Sequence, residues 1–375
     1  MALLNIAAVD LYRFRIPLIR PIKVGNVLLR ERKGLILALT DQKGATGLGE
    51  IAPLPGLDKI PLDQCRKDLS AAKEMLLNRP MQLNFDPLIP GSNIIPGMLS
   101  ESAAHTLFGI ESALLSLDLQ HGLNDLHRKP PFPDPLEIPV NGLFYPDTSA
   151  ADSERQILFL KQSGVKTIKV KIGRLPADDE IYWIFRLAET IGKDLKLRLD
   201  GNRTLSAETY RYYYTSLQQQ VVEYAEEPLE NAEAAGSTAV PWPVSLDESL
   251  SEYLDPFHPD PAALPPPVHA VILKPGVLQG LHGMAHFMTR AKKLKIKIIL
   301  SSSFNTGITL AILGAFLSIV NPHHQTAHGL DTLRYLTDDV LTTTPAISDG
   351  KLTIPLKMLS EGMHLNHACL EREEL

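Results

Sequence analysis

Thr167-Ile-Lys-Val-Lys-Ile172 alternates lysine with β-branched residues, and its reading decides how the rest of the chain is read. Successive side chains of a strand point to opposite faces, so Lys169 and Lys171 share one face and Ile168, Val170 and Ile172 the other. The apolar face asks for a packed layer and the cationic face for a polar space. A barrel strand meets both needs, with a ring of helices outside and a mouth inside.

Outward from this stretch, similar runs recur at Ile138–Phe144, Lys196–Asp200, Val222–Glu226, Val244–Asp247, Ala270–Lys274 and Lys297–Ser301. With Thr167–Ile172 included, their starts are 29, 29, 26, 22, 26 and 27 residues apart. Helical segments lie between them, including Asp178 to Ile191, closed by Gly192, and Leu281 to Lys293. Strand alternating with helix predicts parallel βα units, and an eighth strand near Gln325–His328 would close the ring. The fold class is therefore read as α/β, a TIM-type (β/α) barrel. Gly44-x-x-Gly47-x-Gly49 is the nearest match to a phosphate loop, but it opens no helix.

Before the barrel, Leu35–Leu39, the turn Asp41-Gln-Lys-Gly44 and Gly47–Ile51 read as a hairpin. Helices are predicted over Pro61 to Asn78 and Ser100 to Gln120, the second with Ala103, Leu107, Ile110, Ala113, Leu114 and Leu117 on one face. Four prolines in Pro130–Pro135 mark a domain boundary.

Composition excludes several classes. Of 375 residues 44% are hydrophobic and 21% charged, enough apolar side chain for a large core and a poor match to disorder. A net charge of −6 gives no case for nucleic acid or an anionic membrane as partner. Cys65 and Cys369 cannot build a disulfide framework, which suits a reducing compartment. The apolar stretch Ile308–Val320 falls short of the ~20 residues of a membrane span. Met1–Val9 lacks a basic n-region and Asp10 interrupts it. A soluble cytoplasmic protein is expected.

The chemistry lies in what ends each strand: Lys169 and Lys171, then Asp200, Glu226 with Glu227, Asp247, and Lys274. Five successive strands place ionisable groups where barrel enzymes gather catalytic residues. Any one of these charges could simply mark a strand reaching the surface; the ordered set argues for a site. Three converging carboxylates repel, which raises at least one pKa unless a cation neutralises them. An all-oxygen, incomplete shell suits Mg²⁺. Lysines facing each other across it would have their neutral forms made accessible by nearby positive charge, as a base requires. Such equipment suits proton abstraction beside a carboxylate, where a metal stabilises the enediolate. His282-x-x-x-His286 has zinc-pair spacing but lacks the metalloprotease Glu. His323, His324 and His328 could line the mouth but read more simply as surface or core residues, Lys292–Lys297 as a solvated helix end, and Pro259–Pro267 as a rigid loop.

At these residues the chain resembles the enolase superfamily, in its muconate-lactonizing subgroup, over nearly its whole length. The order Lys-x-Lys, Asp-x-Asn, Glu-Glu-Pro, Asp-Glu-Ser, Lys-Pro carries the resemblance. Gly49–Gly56, Leu197–Arg203, Ser301–Ser303 and Gly329–Leu333 resemble the o-succinylbenzoate synthases of menaquinone biosynthesis. Gly201 stands where alanine is more usual. The resemblance implies a (β/α)7β barrel over residues 135–339 and an α+β capping domain over 1–130 that residues 340–375 complete. It implies that Asp200, Glu226 and Asp247 bind Mg²⁺, with Mn²⁺ as a substitute, and that Lys171 is the acid–base of a syn dehydration. Lys274 would stabilise the enediolate from the opposite face, and Lys169 and Asn202 would support the site. Ser301, Ser303 and Gly329 would contact the substrate, and loops around Arg20–Arg32 and Leu54–Gly56 would close over it. The implied partner is a small carboxylate substrate; oligomeric state stays open, a homo-oligomer included.

Rivals on the same scaffold are a dipeptide or N-succinylamino acid epimerase and a muconate cycloisomerase. Dipeptide epimerases of the subgroup tend to carry Asp-x-Asp on the last strand, and here that region reads His328-Gly-Leu-Asp331. A non-catalytic binding relative would be expected to lose a metal ligand or a lysine, and none is missing.

Overall fold

The computed structural model describes residues 3–81, 103–123, 132–147, 149–229, 242–255, 259–266, 268–323 and 325–375. The chain opens with β1 (Ile6–Val24), β2 (Val27–Asp41) and β3 (Thr46–Ile51), an antiparallel meander. A strand from the far end of the chain, β14 (Leu370–Glu373), pairs with β1 and makes the sheet four-stranded. Helices α1 (Leu62–Asn78) and α2 (Ala104–Leu123) follow; the first residues of the predicted second helix, 100–102, lie outside the described residues. Gly47 and Gly49 are explained here. A Cβ on Gly49 would stand 1.8 Å from Gly109 O, and one on Gly47 2.1 Å from Ala113 O, so the glycines let α2 lie directly on β3.

The run Ile138–Phe144 divides, contrary to the single strand expected. β4 (Leu136–Pro139) joins an antiparallel sheet with β12 (Ala346–Ser348) and β13 (Lys351–Ile354), while β5 (Gly142–Phe144) enters the parallel sheet. Between them the backbone changes partners: Val140 N donates to Gly350 O and Asn141 N to His328 O. Pro139, with no N–H, ends the first ladder. Of the proline stretch, residues 130 and 131 lie outside the described residues, as does 267 of the later proline loop.

The parallel sheet continues through β6 (Thr167–Lys171), β7 (Lys196–Asp200), β8 (Val222–Glu226), β9 (Val244–Leu246), β10 (Val268–Leu273) and β11 (Lys297–Leu300), each hydrogen-bonded to the next. Helices α3 (Ala150–Gln162), α4 (Ala177–Ile191), α5 (Ala207–Ser216), α6 (Leu250–Tyr253), α7 (Gly280–Lys293) and α8 (Gly307–Val320) each follow a strand of this sheet, residues 230–241 between β8 and β9 lying outside the described residues, and α9 (Leu356–Ser360) follows β13. Local signals place them: Ser149 and Ser206 cap α3 and α5 by accepting from Asp152 N and Thr209 N, and Gly192 at φ +101° ends α4. The eighth strand is reduced to two parallel bridges, Val140 with His328 and Ser301 with Gly329. Those neighbouring residues thus touch the segments next to β5 and β11, the two outer strands of the sheet.

α8 is buried along nearly its whole length, so the longest apolar run is a core helix. Each fully buried Leu or Ile there contributes about 1.5–3 kcal/mol. Among the described residues no helix is long and apolar enough to cross a membrane. Tyr224, Ala270, Ile272 and Ile299 form a small apolar cluster separate from the main core.

Candidate active site

The alternation in β6 holds: Ile168, Val170 and Ile172 are buried in the main core, and Lys169 and Lys171 stand on the other face. Register carries the site across the sheet. Lys171 is level with Asp200, Asp200 with Glu226, and Glu226 with Ser245. Parallel strands in this register make the carboxylates converge, although 29 and 26 residues separate their strand starts in sequence.

Lys169 Nζ lies 2.6 Å from Asp200 Oδ2 and 2.5 Å from Glu226 Oε1. Lys171 Nζ donates to Asp200 Oδ2 at 2.6 Å and to Asn202 Oδ1 at 2.8 Å. Lys274 Nζ donates to Asp247 Oδ2 at 2.5 Å. Asn202, at φ +44°, turns its own N–H back onto Asp200 Oδ1. The structure thus joins Lys169, Lys171, Asp200, Glu226 and Asn202 in one network of ion pairs and hydrogen bonds, with the Lys274–Asp247 pair beside it and coupled to it through charge, all at the C-terminal ends of β6 to β10. Ser301 and Gly329 meet each other instead: a Cβ on Gly329 would lie 2.9 Å from Ser301 Oγ. Ser303 is buried, its N–H on Asn305 Oδ1. Among the described residues no hydrogen bond joins Ser301, Ser303 or Gly329 to the charged network.

Burial raises the Glu226 carboxyl well above the usual range and Asp200 adds to it, with Lys169 opposing. Burial acts the same way on Asp200, but Lys169 and Lys171 outweigh it and hold that carboxyl low. The lysines differ from expectation. Burial alone would favour their neutral forms, yet Asp200 and Glu226 raise Lys169 well above its ordinary value, and Asp247 raises Lys274. The ammonium groups of these lysines and the carboxylates compensate one another's charge.

Among the described residues no three His, Cys, Asp or Glu side chains form a ready-made metal cluster, and Lys169 Nζ sits between two of the expected ligands. The residues nonetheless fit a hard cation. Glu226 Oε2 is buried and takes no hydrogen bond among the described residues, which leaves a carboxyl oxygen with no donor, the kind of ligand a hard cation takes.

Sequence reasoning named Glu227 among the strand-end charges but gave it no role. Its Oε1 accepts from Asp247 N at 2.7 Å, Ser249 N at 2.9 Å and Ser249 Oγ at 2.6 Å. The doubled glutamate was the available signal: adjacent strand residues face opposite ways, so only one of the two can enter the mouth. Tyr145 was missed; burial raises the pKa of its hydroxyl, with Lys169 opposing and Asp200 adding, and the Arg174 and Arg20 guanidinium groups lie 5.3 and 5.9 Å from its ring centroid. Of the histidines, His323 is exposed past α8, His324 lies outside the described residues, and His328 is buried with Nδ1 accepting from Leu300 N. His282 gives its N–H to Glu111. The Arg20–Arg32 stretch is mainly strand, the paired ends of β1 and β2.

A family model described as "Enolase C-terminal domain-like" matches residues 152–358, and one described as "MenC, N-terminal domain" matches residues 6–91. The o-succinylbenzoate synthase of Aliivibrio fischeri strain MJ11 is 26% identical over 332 residues, 86% of this chain and 89% of that protein. The o-succinylbenzoate synthase of Photorhabdus laumondii is 27% identical over 360 residues, 94% of this chain and 96% of that protein. In three dimensions the muconate lactonizing enzyme from Pseudomonas fluorescens, complexed with muconolactone, superposes with a TM-score of 0.70 at 16% identity. That superposition covers 97% of this chain and 98% of the other, and shows a shared fold.

Proposed function

The chain belongs to the enolase superfamily, whose C-terminal-domain model spans more than half of it, and from that premise we propose that it is a Mg²⁺-dependent o-succinylbenzoate synthase. The reaction is the syn dehydration of 2-succinyl-6-hydroxy-2,4-cyclohexadiene-1-carboxylate to 2-succinylbenzoate, a step of menaquinone biosynthesis. The observation that carries the chemistry is the row of Lys171, Asp200 and Glu226 in adjacent register, with Lys274 on Asp247 two strands further on. The match of residues 6–91 to the MenC N-terminal family and the synthases among the relatives narrow the substrate.

The architecture proposed is a (β/α)7β barrel over residues 135–339 under a capping domain of residues 1–130 and 340–375. The pairing of β14 with β1 supports the return of the C-terminus, and the bridges at His328 and Gly329 support closure.

Asp200, Glu226 and Asp247 would hold Mg²⁺, or Mn²⁺ in its place. The ion would supply positive charge to the substrate carboxylate and so acidify the α-proton. Lys171 then takes that proton and returns one to the departing hydroxyl on the same face, so the substrate loses one water and the lysine ends as it began. Lys274 faces the ring from the other side and offsets the developing negative charge. Lys169 and Asn202 hold Asp200 and Lys171 in place, and Ser301, Ser303 and Gly329 receive the succinyl arm. Asp331, the one carboxylate of the last-strand region, is paired with Arg334 at 2.9 Å and so is engaged rather than open to a substrate ammonium.

A dehydration assay tests this: purified protein and the cyclohexadiene carboxylate, with Mg²⁺ and with EDTA, followed by ultraviolet absorbance. Fast, EDTA-sensitive loss of the diene is expected. No turnover, with α-proton exchange on dipeptides or N-succinylamino acids, would move the protein to the epimerases.

A further inference from the structure

Arg32 is fully buried in β2, and its guanidinium is spent entirely on backbone carbonyls. Nε donates to Phe304 O at 3.1 Å, one terminal nitrogen to Pro53 O at 3.0 Å and the other to Ala52 O at 2.6 Å. Among the described residues no carboxylate lies within ion-pair distance of it. Burial lowers its pKa to about 10, with Glu50 and Asp58 pulling the other way, so it stays cationic at neutral pH. A buried cation held by three carbonyls has a fixed direction as well as a charge, because the planar fork accepts only one arrangement of acceptors.

Those carbonyls belong to two loops. Ala52 and Pro53 lead into Leu54–Gly56, and Phe304 directly follows Ser301-Ser-Ser303. Phe304 sits at φ +56°, a left-handed conformation that costs a non-glycine residue and persists only where surroundings enforce it. The next residues are held from the same sheet: Glu50 accepts from Asn305 Nδ2 at 2.9 Å, Thr306 Oγ1 at 2.8 Å and Thr309 Oγ1 at 2.6 Å. On the other loop Leu54 N donates to Asp58 Oδ2 at 2.6 Å, and Asp58 also meets His105 of α2 at 3.3 Å.

We infer that Arg32 is a positioning residue that locks the Leu54–Gly56 loop to the Ser301–Ser303 loop, so that the N-terminal sheet sets where the succinyl-arm contacts of the barrel stand. The role of those serines rests on the proposed function; the lock between the loops does not. Among the described residues no hydrogen bond or ion pair joins Arg32 to Asp200, Glu226 or Asp247, and its effect belongs in KM.

The test uses the full chain as Arg32→Met and, as a gentler variant, Arg32→Lys, whose single ammonium cannot reach three carbonyls. Hydrogen–deuterium exchange is followed by mass spectrometry in peptides covering residues 52–58 and 301–309, with the β6–β7 strands as control. Both loop segments should exchange about tenfold faster in Arg32→Met, and by a smaller factor in Arg32→Lys, with the control unchanged. KM for the cyclohexadiene carboxylate should rise about tenfold while kcat stays within about threefold. Faster exchange in only one segment, or in neither, overturns the lock. A fall in kcat at unchanged KM, or no kinetic change once both loops are loosened, overturns the positioning role. If Arg32→Met does not fold, Arg32→Lys decides by the same readouts. Exchange is read without substrate, so a wild-type protein that fails to dehydrate the diene removes the synthase assignment and leaves the lock to be judged on exchange alone.

Discussion

The carboxylate of Glu227 accepts the backbone N–H of Asp247 at 2.7 Å, so the second glutamate at the end of β8 fixes the end of the neighbouring strand that bears the third proposed metal ligand. Ser249 N and Oγ fill out the same oxygen, and Glu227 itself is at φ +40°. Glu227→Ala should weaken Mg²⁺ binding about 10–100-fold, as loss of a ligand's support does in other sites. Glu227→Gln, which keeps the acceptor oxygen, should recover most of it. Calorimetric Mg²⁺ titration of both variants is the check, and equal affinity in Glu227→Ala and wild type would reduce Glu227 to a structural residue.

Lys171→Ala should lower kcat by about 10²–10⁴-fold or more, the share that a positioned acid–base supplies. The fold should survive, because Lys171 contributes ion pairs at the mouth and nothing to the apolar core. Stopped-assay rates beside far-ultraviolet circular dichroism separate the two effects. A folded variant with near-native turnover would remove Lys171 from the chemistry.

Asp247→Asn should raise the Mg²⁺ concentration needed for half-maximal activity and release Lys274 from its partner. An unchanged metal titration would strike Asp247 from the ligand set.

Gly56 and Gly25 meet backbone to backbone. A Cβ on Gly56 would stand 2.2 Å from Val24 O, and the residue is at φ +90°; a Cβ on Gly25, at φ +52°, would stand 2.6 Å from Gly56 O. Gly56→Ala should therefore cost about 1–3 kcal/mol and push the loop off the β1–β2 tip. A melting temperature lower by a few degrees, together with a raised KM, is the expected result. An unaltered KM would mean that the tip of the hairpin and the Leu54–Gly56 loop act independently.

Glu111 of α2 accepts the N–H of His282 at 2.9 Å in the first turn of α7, and a Cβ on Gly280 would collide with its carboxylate. Burial raises its carboxyl from the usual 4.5 to about 7, with the His282 and Leu281 amides opposing. Between those values the folded protein holds a proton that the unfolded chain has released. Stability therefore falls as pH rises through that window and levels off above it, by up to roughly 3 kcal/mol. Glu111→Gln keeps an acceptor oxygen and removes the proton, so urea unfolding from pH 5 to 8 should show a flatter pH dependence in the variant. Parallel curves for the two proteins would contradict the assignment.

Much of this was legible in one dimension because the governing rules are local. Alternation within Thr167–Ile172 specifies two faces, and the recurrence of strands 22 to 29 residues apart specifies parallel βα units, without knowledge of distant contacts. The same rules named the strand-end lysines and carboxylates. They failed where a backbone changes partners, as at Pro139 to Asn141, since β4 and β5 form one unbroken β-like run in sequence.

The sequence by itself determined the period of the elements, the residue types at the strand ends and the family they resemble. Only the tertiary structure decided which groups meet. Register made Lys171, Asp200 and Glu226 neighbours, burial made their charges interdependent, and Arg32, Glu50 and Glu111 met Phe304, Asn305 and His282, 171 to 272 residues away, only through folding. Periodicity is written in neighbouring residues, whereas a hydrogen bond between distant segments depends on where every intervening element has come to rest.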